Sequence, residues 1–118
     1  WALVAALKAA CGGTPWWQWP VAIRRRQGPA LANTRAALAK SIENARLTQF
    51  CFDAGWRALR HTLEPLGVRL FGDVPLYIAR DSADVWSHRE LFEVDTDGRP
   101  TAVAGVPPDA FSRSGQLW

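Results

Sequence analysis

The sequence predicts an α/β fold, and three observations along one stretch of the chain predict it. Apolar residues recur at steps of three and four over residues 29–66, which is typical of one face of a long helix. Gly67 follows and fits the left-handed position that ends many helices. Residues 68–72 combine β-branched, aromatic and other apolar side chains, which predicts a short buried strand. Together these make one α-to-β step.

Two segments precede the long helix. Residues 2–10 are apolar except for one lysine and predict a helix, which Gly12-Gly13 should end. Residues 12–20 then form a loop that is rich in Trp and Pro. Because an indole ring buries a large area, we expect this loop to pack on other elements, although a role of its tryptophans in ligand contact stays open.

The elements after the strand are short. Ser82 or Asp84 should cap a helix, and Asp97-Gly98 lies between two apolar ends, which is a hairpin signal. The run GVPPDAFSRSGQLW that follows is rich in Gly, Pro and polar residues and predicts an irregular loop. We therefore divide the chain into a mainly helical part, residues 1–66, and a part with strand, helix, hairpin and loop, residues 67–118.

Composition limits the classes of function. The net charge is +3, but Arg24 to Arg26 form the only arginine cluster, so we expect no nucleic-acid face. Cys11 and Cys51 have no metal-ligand spacing. The sequence leaves a disulfide open, and reduced thiols in a cytoplasmic protein are the expectation. The N-terminal helix is too short to span a bilayer, so no membrane association is expected. With Trp at both ends and no initiator Met, the chain is interpreted as an internal piece of a longer protein.

Asp73 is the first candidate for a functional residue. It would stand at the carboxyl end of the predicted strand, where the side chains of α/β barrels line the active-site face. Gly72 permits a close approach of the backbone, and Pro75 fixes φ and prevents further strand pairing. The residues alone leave two interpretations open, a functional carboxylate and an Asp that caps the following turn.

Several longer stretches carry a family resemblance. GDVPLYIARDSADVW, the ELF that follows it and DGRPTAVAGVPPDAFSRSGQLW closely resemble the amylomaltase family, the bacterial 4-α-glucanotransferases also called disproportionating enzymes. The similarity extends upstream through the WP…R run of residues 19–26 and the QFxF…W run of residues 49–56. It covers nearly the whole chain, and the run from Gly105 to Trp118 is its most specific part.

The resemblance implies a fold and an activity. It implies that this chain is a fragment of a (β/α)8 TIM barrel with a helical inserted subdomain. Such enzymes break an α-1,4-glucosidic bond, hold the donor glucan as a covalent ester and pass it to the 4-hydroxyl of another maltooligosaccharide, without a cofactor. By the same resemblance, Asp73 contacts the sugar in the −1 subsite. The loop over the substrate cleft contributes further substrate-binding residues, namely Asp109, Phe111, Gln116 and Trp118.

The resemblance also implies what this chain lacks. Retaining transfer needs a nucleophilic carboxylate and a general acid about 5 Å apart, and in the family both lie beyond the position of Trp118. We therefore expect no catalytic residue in the chain and no transferase activity from residues 1–118 alone. Two positions depart from the family pattern: Ala110 replaces a common tyrosine beside Phe111, and Gly55 replaces a glutamine before Trp56.

Other residues have structural interpretations. Trp56 is expected in the core, Asp81 and Asp84 at a helix cap rather than at substrate, and Tyr77 in packing rather than in catalysis. His61 has no partner at metal-ligand spacing, and His88 is expected at the surface or at a helix cap. A second class of function remains open, a stand-alone carbohydrate-binding or protein-interaction module that keeps the aromatic loop. Since a barrel fragment exposes strand edges and an apolar helix face, we also expect self-association.

Overall fold

The computed structural model describes residues 1–75 and 77–117. Most of the regular structure is helical, with a small antiparallel sheet near the C-terminal end. In chain order the helices are α1 (Ala2–Ala10), α2 (Val21–Arg24), α3 (Gly28–Ala37), α4 (Ala39–Leu63) and α5 (Ala83–Ser87), and the strands are β1 (Gly105–Val106) and β2 (Gln116–Leu117). Single 3-10 turns occupy Trp16–Gln18, Glu64–Leu66 and Arg89–Leu91.

The buried core joins the N-terminal helices to α5. Its centre is Trp16, which is fully buried, and Trp19 meets Trp86 edge-to-face with 5.8 Å between ring centroids. The other buried side chains of this cluster are Leu7, Ile23, Leu31 and Val85. The prediction that the Trp- and Pro-rich loop packs on other elements is therefore confirmed for Trp16 and Trp19.

The ends of the helices follow local sequence signals. Gly12 and Gly13 have positive φ, and the Gly13 N–H donates to the Lys8 carbonyl at 2.8 Å, which ends α1. Gly67 has φ 68°, its N–H donates to the Glu64 carbonyl, and the Val68 N–H donates to the Leu63 carbonyl. This pair of bonds is a Schellman motif, and it places Gly67 in the left-handed position that the sequence predicts. At the start of α5, the Ser82 side chain accepts a hydrogen bond from the Val85 N–H at 3.2 Å.

The long helix of the sequence prediction is two helices. The chain turns at Leu38, where φ is −101° and ψ is 16°, although no Gly or Pro lies nearby. The turn lets α3 contact α2 while α4 contacts α1. Tertiary packing explains this break, which the local sequence does not show.

The predicted strand at residues 68–72 is wrong for this structure. These residues are irregular, and the Val68, Leu70 and Phe71 side chains are exposed. A strand needs a hydrogen-bonded neighbour, and no described residue pairs with this segment. The α/β class is accordingly not visible as a parallel sheet in the described residues.

The C-terminal half of α4 is open to solvent. Ile42 is buried, but Trp56, which the sequence placed in the core, is 41% exposed and stacks on Phe52. The prediction of a core Trp56 is wrong because no described element covers this part of the helix. Leu47, Phe50 and Leu59 are exposed as well.

The last segment contains two tight structures. Val94 pairs with Pro100 around the Asp97-Gly98 turn, where the sequence predicts a hairpin. Gly105 then pairs with Leu117 and Val106 with Gln116, so β1 and β2 close the following loop. Within residues 1–75 and 77–117, no helix is both long and apolar enough to cross a membrane.

Candidate functional site

Asp73 lies in the exposed, irregular segment between α4 and α5. Its carboxylate makes no hydrogen bond or ion pair with any described residue, and Val74 beside it is also exposed. The alternative that Asp73 caps the following turn has no supporting hydrogen bond in the described part of the chain. A solvent-facing carboxylate with free lone pairs can accept hydrogen bonds from the hydroxyl groups of a ligand.

Asp109 holds the shape of its own loop. Its Oδ1 accepts hydrogen bonds from the N–H groups of Phe111 at 2.8 Å and Ser112 at 2.7 Å, and its own N–H donates to the Ser112 carbonyl. This is the local turn that Asp side chains favour. Its Oδ2 has no partner among the residues described, so it can accept a hydrogen bond from a ligand.

The loop of residues 105–117 is closed on itself and presents its functional groups outward. The β1–β2 pairing joins its ends, and the Ser112 hydroxyl donates to the Gly115 carbonyl at 2.6 Å. Phe111 is 95% exposed, and Gln116 is exposed in β2. One loop therefore offers an aromatic face, an amide and a carboxylate oxygen to solvent.

The structure only partly assembles the predicted set of site residues. Asp109, Phe111 and Gln116 share the closed loop, but within the described chain no hydrogen bond or ion pair joins Asp73 to that loop. Trp118 lies outside the described residues. The described part holds no group of three His, Cys, Asp or Glu side chains that could bind a metal.

Sequence reasoning missed a network that connects the two parts of the candidate site. The Arg80 carbonyl accepts a hydrogen bond from Trp16 Nε1 at 2.7 Å, and Arg80 Nε donates to the Gly98 carbonyl at 2.6 Å. The Arg80 guanidinium also lies 3.8 Å from the ring centroid of Trp17. These partners are distant in sequence, and the signals that could have suggested them were the clustered tryptophans and isolated arginines.

Asp81 belongs to the same network. It accepts a hydrogen bond from the Trp16 N–H at 3.2 Å and forms an ion pair with Lys8. The expectation that Asp81 caps a helix is wrong, because Ser82 caps α5 and Asp81 instead ties the chain to α1. Asp84, the other candidate cap, lies in the first turn of α5.

The arginine cluster of residues 24–26 makes contacts that hold elements of the core together. Arg24 donates to the Trp17 carbonyl and pairs with Asp97 at 3.1 Å, and Arg26 donates to the Ser87 carbonyl. Burial lowers the pKa of Arg89, and the positive charges of Arg26, Arg24 and Arg25 lower it further. Arg89 in turn lies over the Trp16 ring and donates to the Thr96 carbonyl. The cluster thus holds the hairpin and α5 against the N-terminal helices.

Comparison with known proteins gives a consistent result. The family model described as 4-alpha-glucanotransferase matches residues 1–118. A 4-alpha-glucanotransferase of Thermus thermophilus is 50% identical over 117 residues, which is 99% of this chain and 23% of that protein. A chloroplastic/amyloplastic 4-alpha-glucanotransferase of Oryza sativa subsp. japonica is 40% identical, again over 99% of this chain and 20% of that protein.

A solved structure shares the arrangement of the chain. The amylomaltase of Streptococcus agalactiae, solved in complex with acarbose, superposes with a TM-score of 0.93 at 40% sequence identity. The match covers 99% of this chain and 24% of that structure. The chain therefore spans about a fifth to a quarter of the length of the relatives it matches.

Proposed function

Because the chain belongs to the 4-α-glucanotransferase family, we propose that it works as a substrate-binding part of a longer enzyme of that kind. The proposed reaction transfers α-1,4-glucan segments between maltooligosaccharides by a retaining double displacement. The observation that carries the proposal is the family match across residues 1–118, which includes Asp73 and the exposed loop of residues 105–117. The acarbose complex of the similar amylomaltase supports an oligosaccharide as the ligand class.

Each candidate residue has a role that suits its chemistry. Asp73 and the free oxygen of Asp109 accept hydrogen bonds from sugar hydroxyls, and the Gln116 amide both donates and accepts. The exposed ring of Phe111 stacks on the apolar face of a pyranose. Trp118 is proposed for a second stacking contact on the basis of the family resemblance alone.

The nucleophile and the general acid are proposed to come from parts of the enzyme other than this chain. Retaining transfer requires two carboxyl groups about 5 Å apart. Asp81 is committed to Lys8 and Trp16, and one oxygen of Asp109 holds the loop. Both oxygens of Asp81 are thus engaged, whereas the free oxygen of Asp109 is proposed for a sugar hydroxyl, as the family resemblance implies. We place the enzyme in the cytoplasm, where the free thiols of Cys11 and Cys51 would persist.

A titration with maltoheptaose tests the proposal against its alternative. The alternative is a stand-alone carbohydrate-binding module, and the observation that supports it is the closed, exposed loop of residues 105–117. Purified residues 1–118 are titrated with maltoheptaose and followed by Trp fluorescence, and the same protein is incubated with maltotriose and assayed for longer and shorter products. The proposal expects neither saturable binding nor disproportionation, because the cleft is incomplete.

Three outcomes would change or refute this interpretation. Saturable binding at micromolar to low millimolar maltoheptaose that disappears in Phe111→Ala would favour the module, with Phe52→Ala, an exposed aromatic of α4, as the matched control. Disproportionation of maltotriose above a buffer blank would show that the chain does contain its own catalytic groups. A longer polypeptide that includes this sequence but transfers no glucan would refute the proposed activity itself.

A further inference from the structure

The segment that carries Asp73 and the loop of residues 105–117 are both connected to the core near the contact between Arg80 and Gly98. Asp73 lies seven residues before Arg80, and Gly105, the first residue of the closed loop, lies seven residues after Gly98. Arg80 Nε donates directly to the Gly98 carbonyl at 2.6 Å. This hydrogen bond therefore joins the segment that carries Asp73 to the hairpin that leads into the loop.

The two ends of this hydrogen bond are fixed to the core. The Arg80 carbonyl accepts a hydrogen bond from Nε1 of Trp16, whose side chain is fully buried. Gly98 is buried with φ 78°, and a Cβ at this position would overlap the Trp16 ring. The guanidinium of Arg80 also lies over the Trp17 ring. Both partners of the Arg80–Gly98 hydrogen bond therefore contact the buried core through Trp16.

The orientation of the closed loop depends on these contacts of Arg80 and Gly98 with the core. Within the described residues, every hydrogen bond made by residues 103–117 joins two members of that segment. The loop can therefore keep its internal shape while its position relative to Asp73 changes. One connection between the loop and the segment of Asp73 runs through Pro100 and the hairpin to Gly98, and from there through the hydrogen bond to Arg80.

We infer that Arg80 is a positioning residue that sets the placement of the loop of residues 105–117 relative to Asp73. The inference rests on the proposed function, since it concerns the same sugar site. The proposed role of Arg80 involves no direct contact with substrate. Its side chain connects the segment that carries Asp73 to the hairpin that leads to the loop of residues 105–117. Loss of this hydrogen bond should therefore weaken binding of the glucan without altering the chemical step.

Hydrogen exchange of residues 1–118 tests the link without any sugar. In Arg80→Met, which removes the donor and the charge but keeps the aliphatic stem, the hydrogen-bonded amides of the hairpin, those of residues 95, 97–99 and 101, should exchange at least about fivefold faster. Amides of α1 and α3 should be unchanged. Arg80→Lys, which keeps a cation and a donor, should stay within about twofold of wild type, and Arg99→Met, an exposed arginine of the same hairpin, should match wild type.

Kinetics of the longer transferase proposed above test the consequence. There Arg80→Met should raise KM for maltotriose at least about fivefold with kcat changed less than twofold, and Arg80→Lys should restore KM. A merely structural role would instead lower kcat through loss of active enzyme and leave KM unchanged.

The outcomes separate the two proposals. Wild-type exchange of the hairpin amides in Arg80→Met, or faster exchange that spreads to α1 and α3, would overturn the positioning role. So would wild-type KM in an active Arg80→Met enzyme. If the wild-type longer protein transfers no glucan, the proposed function fails. The exchange experiment still decides whether Arg80 holds the hairpin against the segment that carries Asp73.

Discussion

Gly98 is a residue at which substitution should strongly destabilise the fold. Its φ of 78° disfavours any L side chain, and an added Cβ would overlap the buried Trp16 indole. We therefore predict that Gly98→Ala lowers the free energy of unfolding by about 2–4 kcal/mol, which combines backbone strain with overpacking. Urea denaturation followed by far-UV circular dichroism measures the change.

Gly55→Ala is the matched control for this prediction. Gly55 lies inside α4, and a Cβ there would have no atom within 4 Å. The same chemical change should raise helix stability by about 0.5–1 kcal/mol. Equal stability of Gly98→Ala and wild type would show that the contact between Gly98 and Trp16 does not constrain the fold.

At the residue scale, the sequence predicts what depends on near neighbours. Asp97-Gly98 predicts a turn because two adjacent residues determine its backbone. The contact of Gly98 with Trp16 and the bond from Arg80 join residues far apart in sequence, so no local pattern shows them. For the same reason, the residue type and position of Asp81 suggested a helix cap, although its partners are Lys8 and Trp16.

Among the helices, α5 depends most on its cap. It has five residues, carries the buried Val85 and Trp86, and is capped by the Ser82 side chain. Ser82→Ala should lower the free energy of unfolding by about 1 kcal/mol, and Ser82→Asp should recover most of it. Urea denaturation measures both variants.

A serine without a cap role provides the control. Ser41 is exposed in the first turn of α4, and its side chain makes no hydrogen bond with described residues. Ser41→Ala should leave stability within about 0.5 kcal/mol of wild type. If Ser82→Ala behaved in the same way, the hydrogen bond to Val85 would contribute nothing to α5.

Element boundaries were predictable where the stop signal is local. Gly12, Gly13 and Gly67 end their helices through backbone conformations that glycine adopts readily. The break at Leu38 and the missing strand at residues 68–72 depend instead on which elements are available as neighbours. A run of apolar residues records that a segment prefers burial, but only a partner decides whether it becomes a strand.

The whole molecule combines a packed core, formed by the N-terminal helices and α5, with a largely exposed helix α4. The core tryptophans, the arginine contacts and α5 form one cluster, whereas the outer half of α4 and the segment after it expose Phe52, Trp56, Leu59 and Phe71. The periodicity of α4 predicted this apolar face correctly. It could not show that the face would lack a cover among the described residues.

This exposed face of α4 leads us to predict that residues 1–118 self-associate. Phe52, Trp56 and Leu59 recur on one side of the helix, and burial of such a patch between copies removes apolar surface from water. Light scattering at about 200 µM should give a mass above the 13.1 kDa of one chain, and Phe52→Glu/Leu59→Glu should restore the monomer mass. Asn33→Glu/Ala36→Glu makes the same charge change on exposed positions of α3 and should still associate. A monomeric wild type at that concentration, or equal loss of association in both double variants, would show that the apolar face of α4 does not bring copies together.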